Sequence, residues 1–248
     1  MKIFKKLPRE KRLYIDIETV AAVKELDPEI HAAMFGSWEY KHRYAEQKYD
    51  SSDIFKFFEE KAALFAEFGK IVCISLGYFK GDDFRVSSIF GDDEETVLRD
   101  FKKVLNKFAG SHESTPDGKD IGRGIDIFTG FSIKEFDLNY LFKRMVINGI
   151  KVHNLIDYSD IKPWELDAQI LDLKHVWKGT SWNTSSLINV TTALGLPSPK
   201  DVINGSEVSA LYWSDGPREE ILDTIKTYCE KDVVAVMQCI DKMENGLT

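Results

Sequence analysis

An α/β architecture, a mixed sheet with helices packed on its faces, is what the order of patterns along this chain predicts. Three observations carry it. Strand-length apolar or alternating runs fall at 13–20, 71–79, 84–90 and 125–131. An amphipathic helical pattern at 94–108 separates the third run from the fourth, and another helix follows residue 131. Beyond residue 150 the patterning is mostly helical and ends in a long helix at 217–243.

Residues 13–20 alternate Leu13, Ile15 and Ile17 with Tyr14, Asp16 and Glu18, so a strand carries apolar side chains on one face and both acids on the other. Residues 21–68 break that period. Charges are interleaved there with Met34, Phe35, Trp38, Tyr44, Phe57 and Phe65, which predicts two or three helices inserted after the first strand. The runs 71–79 and 84–90 are joined by Lys80-Gly81-Asp82-Asp83, a hairpin signal. Val97, Leu98, Phe101, Val104, Leu105 and Phe108 form the apolar stripe of the 94–108 helix. Residues 109–124 are rich in Gly, Ser and Asp and read as a loop, and 125–131 as a strand. Ser132-x-x-Glu135 reads as a capping box that starts a helix running to about 148, with Asp137 in its second turn and Gly149 at its C-cap. Residues 170–177 and 185–194 read as short helices, the second ended by Gly195; Pro197 and Pro199 mark a loop, and Pro217 opens the terminal helix.

The chain has 248 residues, 43% hydrophobic and 30% charged, which fits one domain over 1–248 with an insertion at about 21–68. Net charge is -8, so a basic sheath along duplex DNA is not expected. That balance does not exclude a nuclease holding a few nucleotides at a metal site, where cations offset the local negative charge. Cys73, Cys229 and Cys239 show no metal-type spacing and read as reduced thiols of a cytoplasmic protein. The basic residues 1–12 lack the apolar stretch of a secretory signal, and no run is long enough to span a bilayer.

Four acids in three distant segments stand out. Asp16-x-Glu18 puts two carboxylates on one face of a strand; the alternative is the polar face of a half-buried strand. The pair is expected near a strand end, where α/β proteins place sites. Asp137 sits among Phe136, Leu138, Tyr140, Leu141, Phe142 and Met145; the alternative is an acid favoured by a helix start. Asp232 falls on the stripe formed by Ile221, Ile225, Tyr228, Val236 and Cys239, one turn after Tyr228; the alternative is an acid at the stripe's edge. Glu219, Glu220, Asp223 and Glu230 read as the solvated face of that helix. Carboxylates gathered beside a core repel one another and lose hydration. Hard divalent cations relieve both.

Together, Asp16-Ile17-Glu18-Thr19, Phe136-Asp137 after a strand, and Tyr228-x-x-x-Asp232 resemble the three motifs of the DEDD superfamily of 3′–5′ exonucleases, built on the RNase H-like fold. The resemblance is nearest to stand-alone proteins related to the proofreading domain of family B DNA polymerases, and residues 187–197 and 205–208 share it. The histidine branch would place His at Thr227, so the tyrosine (DEDDy) branch is implied. The second motif usually carries Asn where this chain has Ser132. The resemblance implies two Mg²⁺ or Mn²⁺ ions. Asp16 would bridge them, Glu18 and Asp232 would complete one shell, Asp137 would support the other, and Tyr228 would orient the attacking water. The implied partner is a single-stranded 3′ end, DNA ahead of RNA with the choice between them left open, and no membrane.

The other candidates weigh less. His31, His42, His112, His153 and His175 show no ligand spacing, and no phosphate-cradling glycine loop occurs. Asp82-Asp83 reads as a turn and the run 92–95 as a helix start. Trp164 and Trp182 read as core, with base stacking as the alternative. Two rivals remain: a silent nucleic-acid-binding module of the same fold, and an RNase H-type endonuclease, which does not require the Tyr-x-x-x-Asp pair.

Overall fold

The computed structural model describes residues 8–24, 61–108, 124, 127–162, 165–166, 169–199 and 205–246. The expected helices between 25 and 60, the 109–123 loop, His31, His42, His112 and Trp164 lie outside the described residues. Five strands form one sheet in the order β3-β2-β1-β4-β5. They are β1 (Arg12–Ala21), β2 (Gly69–Lys80), β3 (Asp83–Phe90), β4 (Ile127–Gly130) and β5 (Ile170–Asp172). β1 pairs antiparallel with β2 and parallel with β4, and β5 continues the parallel half. β1 is therefore the strand at which the sheet changes from antiparallel to parallel.

The elements follow their sequence signals with two corrections. β2 and β3 meet at Gly81, whose φ of 64° suits a tight hairpin that side-chain-bearing residues resist. Helix α1 (Glu94–Phe108) buries Val97, Leu98, Phe101 and Leu105, four of the six positions in its expected stripe. Residues 170–172, expected to be helical, form β5, and α3 begins only at Leu173 (α3, Leu173–Lys178). Asp172 is the boundary: its carboxylate accepts the N–H groups of Lys174 and His175 and caps α3. The second correction concerns Ser132. Helix α2 (Asp137–Ile147) starts after Phe136, so Ser132 is not its N-cap and Asp137 occupies the first turn. Ser132 has φ 65°, in the left-handed region, and its N–H donates to Asp172 Oδ1 at 3.0 Å.

Helices cover both faces. One face, with Leu13, Ile15, Ile17, Ile71 and Ile74, packs against α1 and α2. The other, with Tyr14 and Cys73, lies under the terminal helix α6 (Arg218–Asn245), joined by α4 (Leu187–Ala193) and α5 (Val208–Tyr212). Glu94, at the start of α1, is buried and ties three elements together. It accepts from Ile71 N on β2 at 2.7 Å, and from Arg144 Nε and Asn148 Nδ2 at the end of α2 at 2.8 and 3.0 Å. A buried carboxylate with this many donors is satisfied and needs no ion. Among the described residues, no helix is long and apolar enough to cross a membrane.

Candidate metal centre

β1 continues beyond its parallel partner. Its pairing with β4 ends at Tyr14, while its pairing with β2 runs to Ala21. The stretch holding Asp16 and Glu18 thus lies inside the strand but past the end of parallel pairing. This corrects the expectation of a strand-end position, because β2 alone extends the strand. The register on β2 shifts opposite Glu18 and Thr19, leaving Val72 as the extra residue. Such bulges re-aim side chains beside sites.

The freed edge of β1 meets α2. Asp137 Oδ1 accepts the N–H of Ile17, the residue between the two acids of β1, at 3.1 Å. From the other side α6 brings Tyr228, Cys229 and Asp232. Tyr228 and Cys229 are buried, and Asp232 is half-buried on the core-facing stripe. The ligand atoms of Asp16, Glu18 and Cys229 lie within 4.8 Å of one another. Asp137 and Asp232 are outside that group of three; Asp137 joins it through Ile17, and Asp232 and Tyr228 share its field, so the predicted residues all lie about residues 16–18 of β1. Gly205, just before α5, closes the margin: a side chain there would stand 3.6 Å from the Tyr228 hydroxyl.

The electrostatics are those of an anionic cluster beside the core. Burial, then the charges of Asp232, Asp137 and Glu18, push the Asp16 carboxyl well above the usual range; the Cys229 thiol opposes this. Burial pushes Asp137 up to about 7, against the N–H groups of Ile17 and Asp137 itself, with the charges of Asp172 and Asp232 adding to the rise. Tyr228 is raised by burial and by Asp232, Glu18 and Asp16, so its phenol stays protonated at neutral pH. Burial and Cys73 likewise keep the Cys229 thiol protonated. Carboxylate oxygens set this close to one another's charge fit a hard divalent cation such as Mg²⁺ or Mn²⁺.

Three residues near the centre escaped sequence reasoning. Asp172 is buried, and its two oxygens also accept the N–H groups of Ser132 and Lys134, which fixes the turn leading into Asp137. An Asp directly before Leu173-Lys174-His175 is a helix-start signal that could have found it. Cys229 adjoins Asp16, and its only sequence signal is its place beside Tyr228 on the stripe. Glu230, expected on the solvated face, is half-buried and accepts from Ser88 Oγ at 2.7 Å. Of the weaker candidates, Trp182 is 92% exposed, which overturns its core reading. His153 Nδ1 accepts from Leu155 N, and His175 contacts Glu135; neither approaches a metal cluster. Asp93 accepts from Thr96 at the start of α1, as a helix-front acid should. A cavity of about 380 Å³ opens between Val86, the loop at 197–199 and the outer side of α6, and none of the four acids lines it.

A family model described as the RNase H superfamily matches residues 56–244. The match takes in Asp137, Tyr228 and Asp232 and begins after β1. No curated protein matches the chain at a significant level. Among solved structures, a family B DNA polymerase from the hyperthermophilic archaeon Pyrobaculum calidifontis superposes with a TM-score of 0.53 at 17% identity. The superposition covers 94% of this chain and 24% of the polymerase, so the chain spans about a quarter of that protein's length. At this identity the likeness speaks for the fold.

Proposed function

The chain belongs to the RNase H superfamily, and we propose that it is a metal-dependent 3′–5′ exonuclease of the tyrosine branch, acting as one domain on single-stranded nucleic acid. DNA is the substrate to test first, and nucleoside 5′-monophosphates are the expected products. The observation that carries this reading is that Asp137, tied to Ile17 of β1, and Asp232 on α6 both act on Asp16 beside Glu18, with a protonated Tyr228 in the same field. A structural role alone gives no reason to set Asp16 and Asp137 where burial and neighbouring acids raise both of their pKa values.

Asp16, Glu18, Asp137 and Asp232 would hold two divalent cations. When bound, these would supply Lewis acidity to the attacking water and to the leaving 3′-oxygen. The residues' own work is separable from that. Asp137 is held to the backbone of β1, so its carboxylate keeps a fixed place relative to Asp16 and Glu18. Tyr228 keeps its proton, so it can donate to and orient a water, and it is a poor base.

End-labelled DNA and RNA strands, incubated with Mg²⁺ or Mn²⁺ and with a chelator control, test the reading. The expected result is a descending ladder from a 5′-labelled strand, abolished by chelation. Cleavage of a circular single strand would point to an endonuclease. Cation binding without turnover on any strand would point to a silent binding module.

A further inference from the structure

On the face of the sheet beneath α6 a polar row runs outward from Asp16. Asp16 on β1 stands opposite Ser75 on β2, and Ser75 stands opposite Ser88 on β3. The two serine hydroxyls are 2.8 Å apart, and Ser88 Oγ donates to Glu230 on α6. At the Asp16 end, α6 supplies Cys229. Its Sγ lies 3.3 Å from Asp16 Oδ2 and 3.4 Å from the Asp16 carbonyl oxygen. Both of those oxygens are acceptors, so the thiol is the donor. Buried cysteine commonly serves as a small apolar filler. Here its sulfur abuts a carboxylate, where an apolar group would desolvate the charge and return nothing.

We propose that Cys229 is a positioning residue: its S–H engages one oxygen of Asp16 and so sets the orientation in which that carboxylate meets a cation. The proposal rests on the cation-site reading above. It also explains how α6 is seated, since one stretch of helix brings Asp232, the Tyr228 hydroxyl and the donor that orients the facing acid. Groups that orient a ligand in this way change metal affinity by about 10- to 100-fold when removed.

The test is Mn²⁺ affinity, read by electron paramagnetic resonance of the free ion, beside thermal unfolding of the metal-free protein. It compares the intact protein with Cys229→Ala, Cys229→Ser and Cys239→Ala. Cys239 is a buried thiol of the same helix, packed among Tyr14, Leu171 and Val236, away from the acids. The expected result is that Cys229→Ala weakens Mn²⁺ binding by about 10-fold or more and still unfolds cooperatively. Cys229→Ser, which keeps a donor, should recover most of the loss, and Cys239→Ala should bind like the intact protein. Should Cys229→Ala fail to fold, Cys229→Val fills the space without a donor and takes its place. Equal Mn²⁺ affinity in the Ala or Val variant and the intact protein would overturn the proposal. So would a Ser variant no better than Ala. The same affinity pattern in a protein that cleaves no strand would support the proposal and sink the exonuclease reading alone.

Discussion

Asp137 Oδ1 accepts the backbone N–H of Ile17 at 3.1 Å, across 120 positions of sequence. The bond exists because β4 stops short and leaves the edge of β1 without a parallel partner beyond Tyr14. An acid that would otherwise be only the first residue of a helix is thereby fixed between the two acids of a strand. Its carboxylate satisfies a buried amide and stands in the field of its neighbours, and these two demands oppose each other in its ionisation.

That opposition gives a pH dependence. Burial holds Asp137 at about 7 in the folded protein, against an ordinary value of 3.8. Between those two values the unfolded chain loses its proton first, so the folded state binds more protons and stability falls as pH rises. The metal-free protein should therefore lose stability from this group as pH is raised from 4 to about 7, and no further above that. Asp137→Asn should flatten this slope, and added Mg²⁺ should offset it in the intact protein. Urea unfolding at stepped pH, with and without Mg²⁺, checks both. A metal-free protein that gains stability through this window, with the variant showing the same slope, would place the charge elsewhere.

Removing a ligand should separate activity from folding. Asp232 is the largest charge acting on Asp16, after burial itself, in raising its pKa. Deleting either acid relieves repulsion and creates none. Asp16→Ala and Asp232→Ala should lose nearly all cleavage and match or exceed the intact protein's melting temperature without metal. Calorimetry beside a gel assay reads both, and near-normal cleavage in either variant would sink the ligand assignment.

Much of this arrangement was legible in the chain, and the misses have physical causes. The stripe Val97, Leu98, Phe101, Leu105 announced α1, because a period near 3.6 held over more than two turns has no other cheap explanation. The place of Asp232 was legible for the same reason: the period put this acid on the apolar stripe, where it lies half-buried. β5 was not, since three residues running straight into Leu173 have no period of their own. The capping box at Ser132 was a sound local signal overruled by a tertiary one. Asp172, forty residues on, takes the Ser132 amide and holds the turn in the left-handed region. The contact of Cys229 with Asp16 could not be read, because it lies with an oxygen 213 positions away.

Asp172 therefore makes its own prediction. It accepts four backbone N–H groups, from Ser132, Lys134, Lys174 and His175. All four bonds are only part-buried, so water can take back most of the stranded donors; one left unsatisfied costs about 1–3 kcal/mol, and the helix cap adds about 1 kcal/mol. Asp172→Ala should thus lower unfolding free energy by roughly 2–4 kcal/mol and weaken cleavage by loosening the turn before Asp137. Denaturant unfolding checks the first effect. An unchanged midpoint would mean that the bond from Lys174 Nζ to Ser132 Oγ, at 3.0 Å, holds the turn by itself.

The final prediction isolates the tyrosine hydroxyl. Tyr228 is buried on α6, one turn before Asp232, and the charges of Asp232, Glu18 and Asp16 all act on its phenol. They raise its pKa, so it can serve as a donor and not as a base at neutral pH. Tyr228→Phe keeps the ring and its packing and deletes only the donor. Metal affinity should therefore be unchanged, because a neutral phenol is not expected among the ligands. Single-turnover cleavage should slow by about 10- to 1000-fold, or roughly 1.4–4 kcal/mol of transition-state stabilisation. The acid limb of the pH–rate profile should be the same in the variant, since the group lost does not titrate there. Cleavage at the intact rate would reduce Tyr228 to packing. A parallel loss of Mn²⁺ affinity would instead make its hydroxyl a support for Asp232, with the water oriented by another group.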